Sequence, residues 1–201
     1  GIIGRKERIL RAGSQVSALF AEHCQIESKA SIFIKEYAYQ SELFALDRIV
    51  LGDEGKLIGG RAAGAHGIVT AELGNEAGTP TEAEVGINFI GARRLQSARE
   101  AYLKIREELD RLERLRAEKE TPALVERIVH LTELRQKYSI RMENLLEQVD
   151  RNEDAEILVK KAVYPGTTIR ICRAELVVTA QRGPTRFRLD RDAGRIVPEE
   201  P

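Results

Sequence analysis

Three histidines, two cysteines and scattered carboxylates are the side chains here with catalytic or metal-binding potential. His23 adjoins Cys24. Neighbouring residues on a strand project to opposite faces, so these two cannot share a site locally. His23 reads as structural and Cys24 as a core thiol. His66, in the corner Gly64-Ala65-His66-Gly67, is the histidine best placed to act as a base. His130, beside Leu131 in a helical pattern, reads as a solvated helix residue. Cys24 and Cys172 lie far apart and form no CxxC. That spacing argues for two reduced thiols rather than a disulfide framework or zinc ribbon.

The remaining motifs fall short of their chemistry. Gly52-Asp53-Glu54-Gly55-Lys56 has two residues between its glycines and Leu57 after the lysine. A phosphate-binding Walker loop needs four residues there, and a Ser or Thr after the Lys. The segment reads as a turn. Asp190 and Asp192 have calcium-loop spacing without a third ligand or distal Glu, so Asp190–Gly194 reads as a polar turn between strands. Glu22, Glu27, Glu36 and Glu42 offer carboxylates for glycan cleavage, but no pattern brings them together. No catalytic, cofactor-binding or metal-ligating residue is assigned, and no cofactor is expected.

Charge narrows the partners. The 201 residues carry zero formal net charge, unevenly distributed. Residues 1–90 hold 9 basic and 12 acidic side chains, 91–154 hold 14 of each, and 155–201 hold 9 and 6. That final excess is too small for a nucleic-acid footprint, and no aromatic residues interleave with Lys or Arg as a stacking platform. No apolar run approaches the ~20 residues of a membrane span, and no signal peptide is evident. A cytoplasmic protein is expected. An opening Gly1 rather than Met is expected of a piece cut from a longer chain.

Two kinds of element must position these residues. From Gly91 to Asn152 the pattern is that of two long helices. Leu95, Ala98, Tyr102, Ile105, Leu109 and Leu112 repeat every three then four residues. After Thr121-Pro122, an N-cap followed by proline at the first helical position, the pattern resumes. Its second run is Leu124, Ile128, Leu131, Arg135, Tyr138, Met142, Leu145 and Val149. Paired residues sum to 240, as an antiparallel coiled-coil hairpin requires: Leu109 should meet Leu131, and Tyr102 should meet Tyr138. Arg135 stands opposite Ile105, with Leu134 available to cover the gap. Glu107 and Arg111 have ion-pair spacing, and Glu143 and Glu147 are a like-charge exception.

On either side the signal is β. Val16, Ile32, Ile49 and Ile68 are 16, 17 and 19 apart, while Ile9, Ile26 and Leu43 are each 17 apart. Two interleaved series with one period indicate stacked coils, each contributing at least two inward-facing strands. Ala12, Ala18, Ala21, Ala30, Ala38 and Ala45 are assigned to tight corners, as are glycines from Gly52 to Gly78. A last strand is expected over Glu84–Phe89. Further strands follow over Ile157–Tyr164, Thr168–Cys172, Glu175–Thr179, Arg186–Leu189 and Arg195–Val197. The fold class is therefore α+β: a parallel β-helix, or β-solenoid, with an inserted antiparallel coiled-coil hairpin and closing strands. The domains are 1–90 (solenoid rungs), 91–152 (hairpin) and 153–201 (strands completing or capping the solenoid).

Several stretches together resemble the carboxy-terminal part of the flagellar assembly protein A family. They are Gly1–Arg5, Val16–Ala21, Ile32–Tyr37 with Ser41, Lys56–Gly60, Gly74, Gly78–Thr81 and Val85-Gly86, then Val163–Ile169 and Gly183–Phe187. The resemblance spans nearly the whole chain in order. It implies an amino-terminal domain and earlier rungs before Gly1, a role in flagellar assembly, and no catalytic residues. The expected function is a non-enzymatic scaffold in flagellar or cell-surface organisation, with protein partners or self-association through the solenoid or coiled coil. Two alternatives stand: a β-helix enzyme acting on a glycan or acyl donor with His66 as base, and a self-assembling polymer subunit. The first would suit hexapeptide-repeat acyltransferases, but the spacing here drifts from strict six-residue repeats.

Overall fold

The computed structural model describes residues 1–4, 9–148 and 152–201, with the backbone alone at 147–148. Arg5, the Glu147 side chain and the last seam residue, Val149, lie outside the described set. The chain divides into a β unit, residues 1–89 and 150–201, and a helical unit, residues 90–149.

The β unit opens with β1 (Ile2–Ile3), β2 (Ile9–Ala12), β3 (Val16–Glu22) and β4 (Gln25–Ser28). Next come β5 (Ile32–Ala45), β6 (Arg48–Leu51), β7 (Lys56–Gly64), β8 (Gly67–Leu73) and β9 (Thr81–Val85). Helices α1 (Phe89–Glu118) and α2 (Pro122–Gln148) follow. The strands resume as β10 (Glu156–Val163), β11 (Thr167–Ile171), β12 (Ala174–Val177), β13 (Thr185–Asp190) and β14 (Arg195–Glu199). Every pairing among β1 to β9 is parallel, as are those of β10 on β8 and β11 on β9. This is a β-solenoid.

Its coils stack in three ladders. One places Val16, Ile32, Ile49 and Ile68 in direct register, then continues across the helical insertion to Ile157 and, antiparallel, to Phe187. The drifting period of 16, 17 and 19 is a true register, because loop length varies at corners while strands stay aligned. A second ladder runs Leu10, Ile26, Leu43, Ala62, Ala83, Ile169 and Leu176. Leu10 therefore stands opposite Ile26, and Ile9 faces Gln25. The equal 17-residue spacing of Ile9 was a coincidence of two adjacent apolar residues.

The third ladder, Ile2, Ala21, Ala38, Leu57, Leu73 and Val163, has only alanine in its second and third rungs and so no bulky signal there. Ala21, Ala38 and Ala45 are fully buried strand residues rather than corner residues, and Ala12 and Ala18 also lie within strands. Of the six, Ala30 lies in a bend. The three ladders converge on one apolar core. Beyond it, β12, β13 and β14 pair antiparallel and end the stacking.

Corners are set by backbone conformation. His23, Gln40 and Gly59 follow the paired residues Glu22, Tyr39 and Ile58, and all three take positive φ: 47°, 46° and 70°. Polar side chains can hold this left-handed turn at modest strain, whereas glycine does so freely. At Ser41, just after the Gln40 corner, and at Thr81 and Thr185, a buried hydroxyl donates to the carbonyl two residues back: Ser41 Oγ to Tyr39 O, Thr81 Oγ1 to Thr79 O and Thr185 Oγ1 to Gly183 O. Each hydroxyl enters the core with its hydrogen bond already made, which removes the penalty of burying it.

The expected strand over Glu84–Phe89 ends at Val85, and Phe89 is already helical. Its ring packs on Phe44 at 5.4 Å, and Arg61 lies over Phe44 at 5.9 Å. Across the insertion, Asn152 N–H donates to Gly86 O at 3.0 Å, so the chain leaves and re-enters at one corner. In the helical unit, Ile105, Leu109 and Leu112 of α1 bury together with Ile128 and Leu131 of α2. Leu134 packs against this cluster, whereas Arg135 is exposed. Tyr138 joins the cluster; Tyr102 is half-buried outside it. Thr121 Oγ1 accepts from Leu124 N–H at 3.3 Å, capping α2. Arg111 pairs with Glu108, one residue nearer than Glu107.

Gly60 tests the corner geometry. It has φ of 77°, and an added Cβ would lie 2.2 Å from Ser41 O, a backbone atom that cannot yield. Gly60→Ala is expected to cost about 2 kcal/mol or more in urea unfolding. Gly183, with nothing within 4 Å of such a Cβ, should accept alanine within about 0.5 kcal/mol.

Candidate functional site

The densest set of chemistry-capable side chains lies at the corner leading into β6 and β8. His66 Nδ1 stands 3.2 Å from Leu46 O and 3.5 Å from Asp47 Oδ1, while its backbone N–H donates to Asp47 O. Ser31 Oγ donates to Asp47 Oδ2 at 2.6 Å. These are the residue types of a hydrolytic triad in the wrong order. A nucleophilic hydroxyl must hydrogen-bond to the imidazole, with the carboxylate behind it. Here the carboxylate separates the two, and among the described residues no hydroxyl is hydrogen-bonded to the His66 ring. Both His66 and Asp47 side chains are about half-exposed, at 54% and 51%, so water reaches them freely. The arrangement fastens successive corners.

Three clefts lie elsewhere. One of about 810 Å³ is lined by Lys35, Tyr37, Gly52, Asp53, Lys56 and Ile58. Others of about 590 Å³ and 450 Å³ involve Arg182, Pro184 and Pro198, and Asp154, Arg188 and Asp190. His66 lines none of these three. Among the described residues, no group of three His, Cys, Asp or Glu side chains could hold a metal ion.

The other sequence candidates have structural surroundings. Gly52–Lys56 is a turn closed by Gly55 N–H to Gly52 O at 2.8 Å. Gly55 O accepts from Thr70 Oγ1, Ala71 N–H and Glu72 N–H, so the turn sits tightly on the next rung. Asp53 pairs with Lys160, which holds its carboxyl below the ordinary range through a 2.7 Å hydrogen bond. Glu54 pairs with Lys161. Both pairs bridge segments on opposite sides of the helical insertion. Glu22 accepts from Tyr37 Oη at 2.6 Å, which raises the tyrosine's pKa. Glu27 pairs with Arg11. Asp190 Oδ1 accepts from Ala193 N–H within the turn before β14. His23 is an exposed corner residue, its ring edge-on to Tyr39 at 5.5 Å.

Across this geometry, the model of the Flagellar Assembly Protein A beta solenoid domain matches residues 1–196. The chain belongs to this flagellar assembly protein A family. The match runs through both flanks of the β unit and both helices, so the family's solenoid domain spans the insertion. No curated protein and no solved structure matches the chain. Among the described residues, no helix is long and apolar enough to cross a membrane.

The cysteines separate clearly. Cys24 is 7% exposed, with Sγ 3.7 Å from Ser41 Oγ, and burial pushes its thiol above the ordinary 9.0. Cys172, at a left-handed corner with φ of 54°, is half-buried, its Sγ near Gly86 O and Asn152 O. At about pH 8 a thiol-disulfide reagent should modify Cys172 about tenfold faster than Cys24. A single common rate would contradict this environment. A raised folded-state pKa also means that the stability linked to Cys24 is intact below its ordinary value and is lost as pH rises through the folded value. The midpoint of urea unfolding should fall above about pH 9, and less so in Cys24→Ser.

Proposed function

We propose that the chain is a non-enzymatic scaffold in flagellar assembly or cell-surface organisation, working in the cytoplasm through protein partners. In this reading the solenoid is a stiff body, and the helical unit is an antiparallel coiled-coil arm that engages a partner. The family match over residues 1–196 carries the proposal. The shared burial of Leu109 and Leu112 with Ile128 and Leu131 supports the arm, because those pairs obey the mirror about residue 120. At ~1.5 Å per residue, helices of 30 and 27 residues would give it a length of about 40–45 Å.

The glycan- or acyl-processing alternative depends on His66, whose carboxylate neighbour stands between it and Ser31. The polymer alternative requires one solenoid end to template the other. At the final rung, antiparallel β14 carries Pro198, which lacks an N–H for pairing. Both observations favour the scaffold.

Replacing residues 92–151 by a short turn tests the arm. The β unit should still unfold cooperatively, since Gly86 and Asn152 already meet, while a partner crosslinked to the intact chain in cells should no longer be recovered. Recovery of that partner with the shortened chain would sink the arm. His66→Ala should leave the number of flagella per cell unchanged, and loss of flagella with a folded His66→Ala chain would favour the enzyme.

A further inference from the structure

The outward positions of the three solenoid ladders are used differently. On the face built by β4, β7, β9 and β11, charges pair within the face: Arg61 with Glu84, and Arg170 with Glu82 and Glu175. On the face containing Tyr37 and Lys56, Lys56 pairs with Glu72 at 3.0 Å. The remaining face has an outward column of Phe33, Val50, Val69 and Leu158, in direct register over four successive rungs. Phe33 is 37% exposed, and the other three are partly exposed. A solvent-facing sheet surface ordinarily alternates to polar residues at these positions.

Its rim is cationic. Lys35 lies two residues from Phe33, and Arg48 two residues from Val50, on the same outward side. Neither makes an ion pair among the described residues. At the far end Arg186 and Arg188 share the single carboxylate of Glu156, at 3.7 and 3.3 Å. Lys35 and Arg48, exposed beside an apolar strip, and two arginines with one carboxylate between them leave this face with excess positive charge, which disfavours a second copy of the same face and favours a partner bearing carboxylates. A membrane surface fits less well, because Phe33 at 37% exposed and three partly exposed aliphatic side chains offer no projecting wedge to enter lipid.

Spacing suggests the partner's form. Rungs recur about every 4.8 Å, whereas one side of an α-helix presents a residue about every 5.4 Å. A helix lying along the solenoid axis therefore offers about one apolar residue per rung over roughly three turns. We infer that the Phe33–Val50–Val69–Leu158 face is a docking surface for an acidic amphipathic helix of a protein partner. This inference rests on the scaffold reading but uses a different part of the chain from the helical arm. Failure of either leaves the other standing.

The test uses the full chain and a fluorescent 14-residue peptide with leucines at one-turn spacing and glutamates elsewhere. Its control keeps the leucines and replaces every glutamate with lysine. Anisotropy titration should give at least about tenfold tighter binding of the acidic peptide, weakened by added salt. Val50→Glu and the pair Lys35→Glu, Arg48→Glu should each reduce affinity about tenfold. Val69→Thr keeps shape and strand preference, so it should lose affinity several-fold while melting as the parent chain does. Equal binding of the two peptides would overturn the proposal, as would Val69→Thr and Val50→Glu chains that bind the acidic peptide undiminished. Uptake by phosphatidylserine vesicles that depends on Val50, without peptide binding, would overturn it in favour of a lipid surface.

Discussion

Register is the constraint on which the β unit depends. Each inward side chain of the Val16–Phe187 ladder sits on the equivalent residue of the neighbouring coil, so neither can be buried without the other. Truncating one such isoleucine to alanine removes about 2–5 kcal/mol, whereas an exposed ion pair contributes about 0–1 kcal/mol. The outward pairs, Arg61–Glu84 or Arg170–Glu175, therefore adjust a fold that the apolar ladders already determine. The same reasoning applies to the ion pairs at Asp53 and Glu54, which tie the returning chain to a rung made before the insertion.

Corners make that register possible. A strand can stay aligned while its loops differ in length only if the backbone turns at the same place in each coil. The column His23, Gln40, Gly59 fixes one such place by a shared left-handed conformation. Hydroxyls of Ser41, Thr81 and Thr185 complete other carbonyls without water. The largest loop difference of all, the helical unit, is accommodated in the same way, with Gly86 and Asn152 joined across its base.

Bulky β-branched residues made part of this legible in the sequence. The Val16, Ile32, Ile49, Ile68 series is a ladder, and Ile157 extends it once the insertion is recognised. Alanines hid the third ladder, because a small residue reads equally well as a corner or as the interior of a narrow coil. Ile9 and Leu10 were indistinguishable until Gln25 and Ile26 fixed their register. His66 could be placed at a corner from its glycine neighbours, but its relation to Asp47 and Ser31 depends on stacking between coils 16 to 20 residues apart. The outward apolar face was similarly invisible: Phe33, Val50, Val69 and Leu158 become one surface only after four rungs and an insertion are brought into line.

The pairing of β10 with β8 also imposes an order on synthesis. Residues through Val85 can stack as they emerge, but Ile68 and Val69 must wait for Ile157 and Leu158, some 89 residues later. During that interval the β8 edge is unpaired and open to misassociation. Helices form from local contacts far faster than distant strands can find each other. The bond from Asn152 N–H to Gly86 O, once formed after the helices, would set β10 beside the edge it must cover.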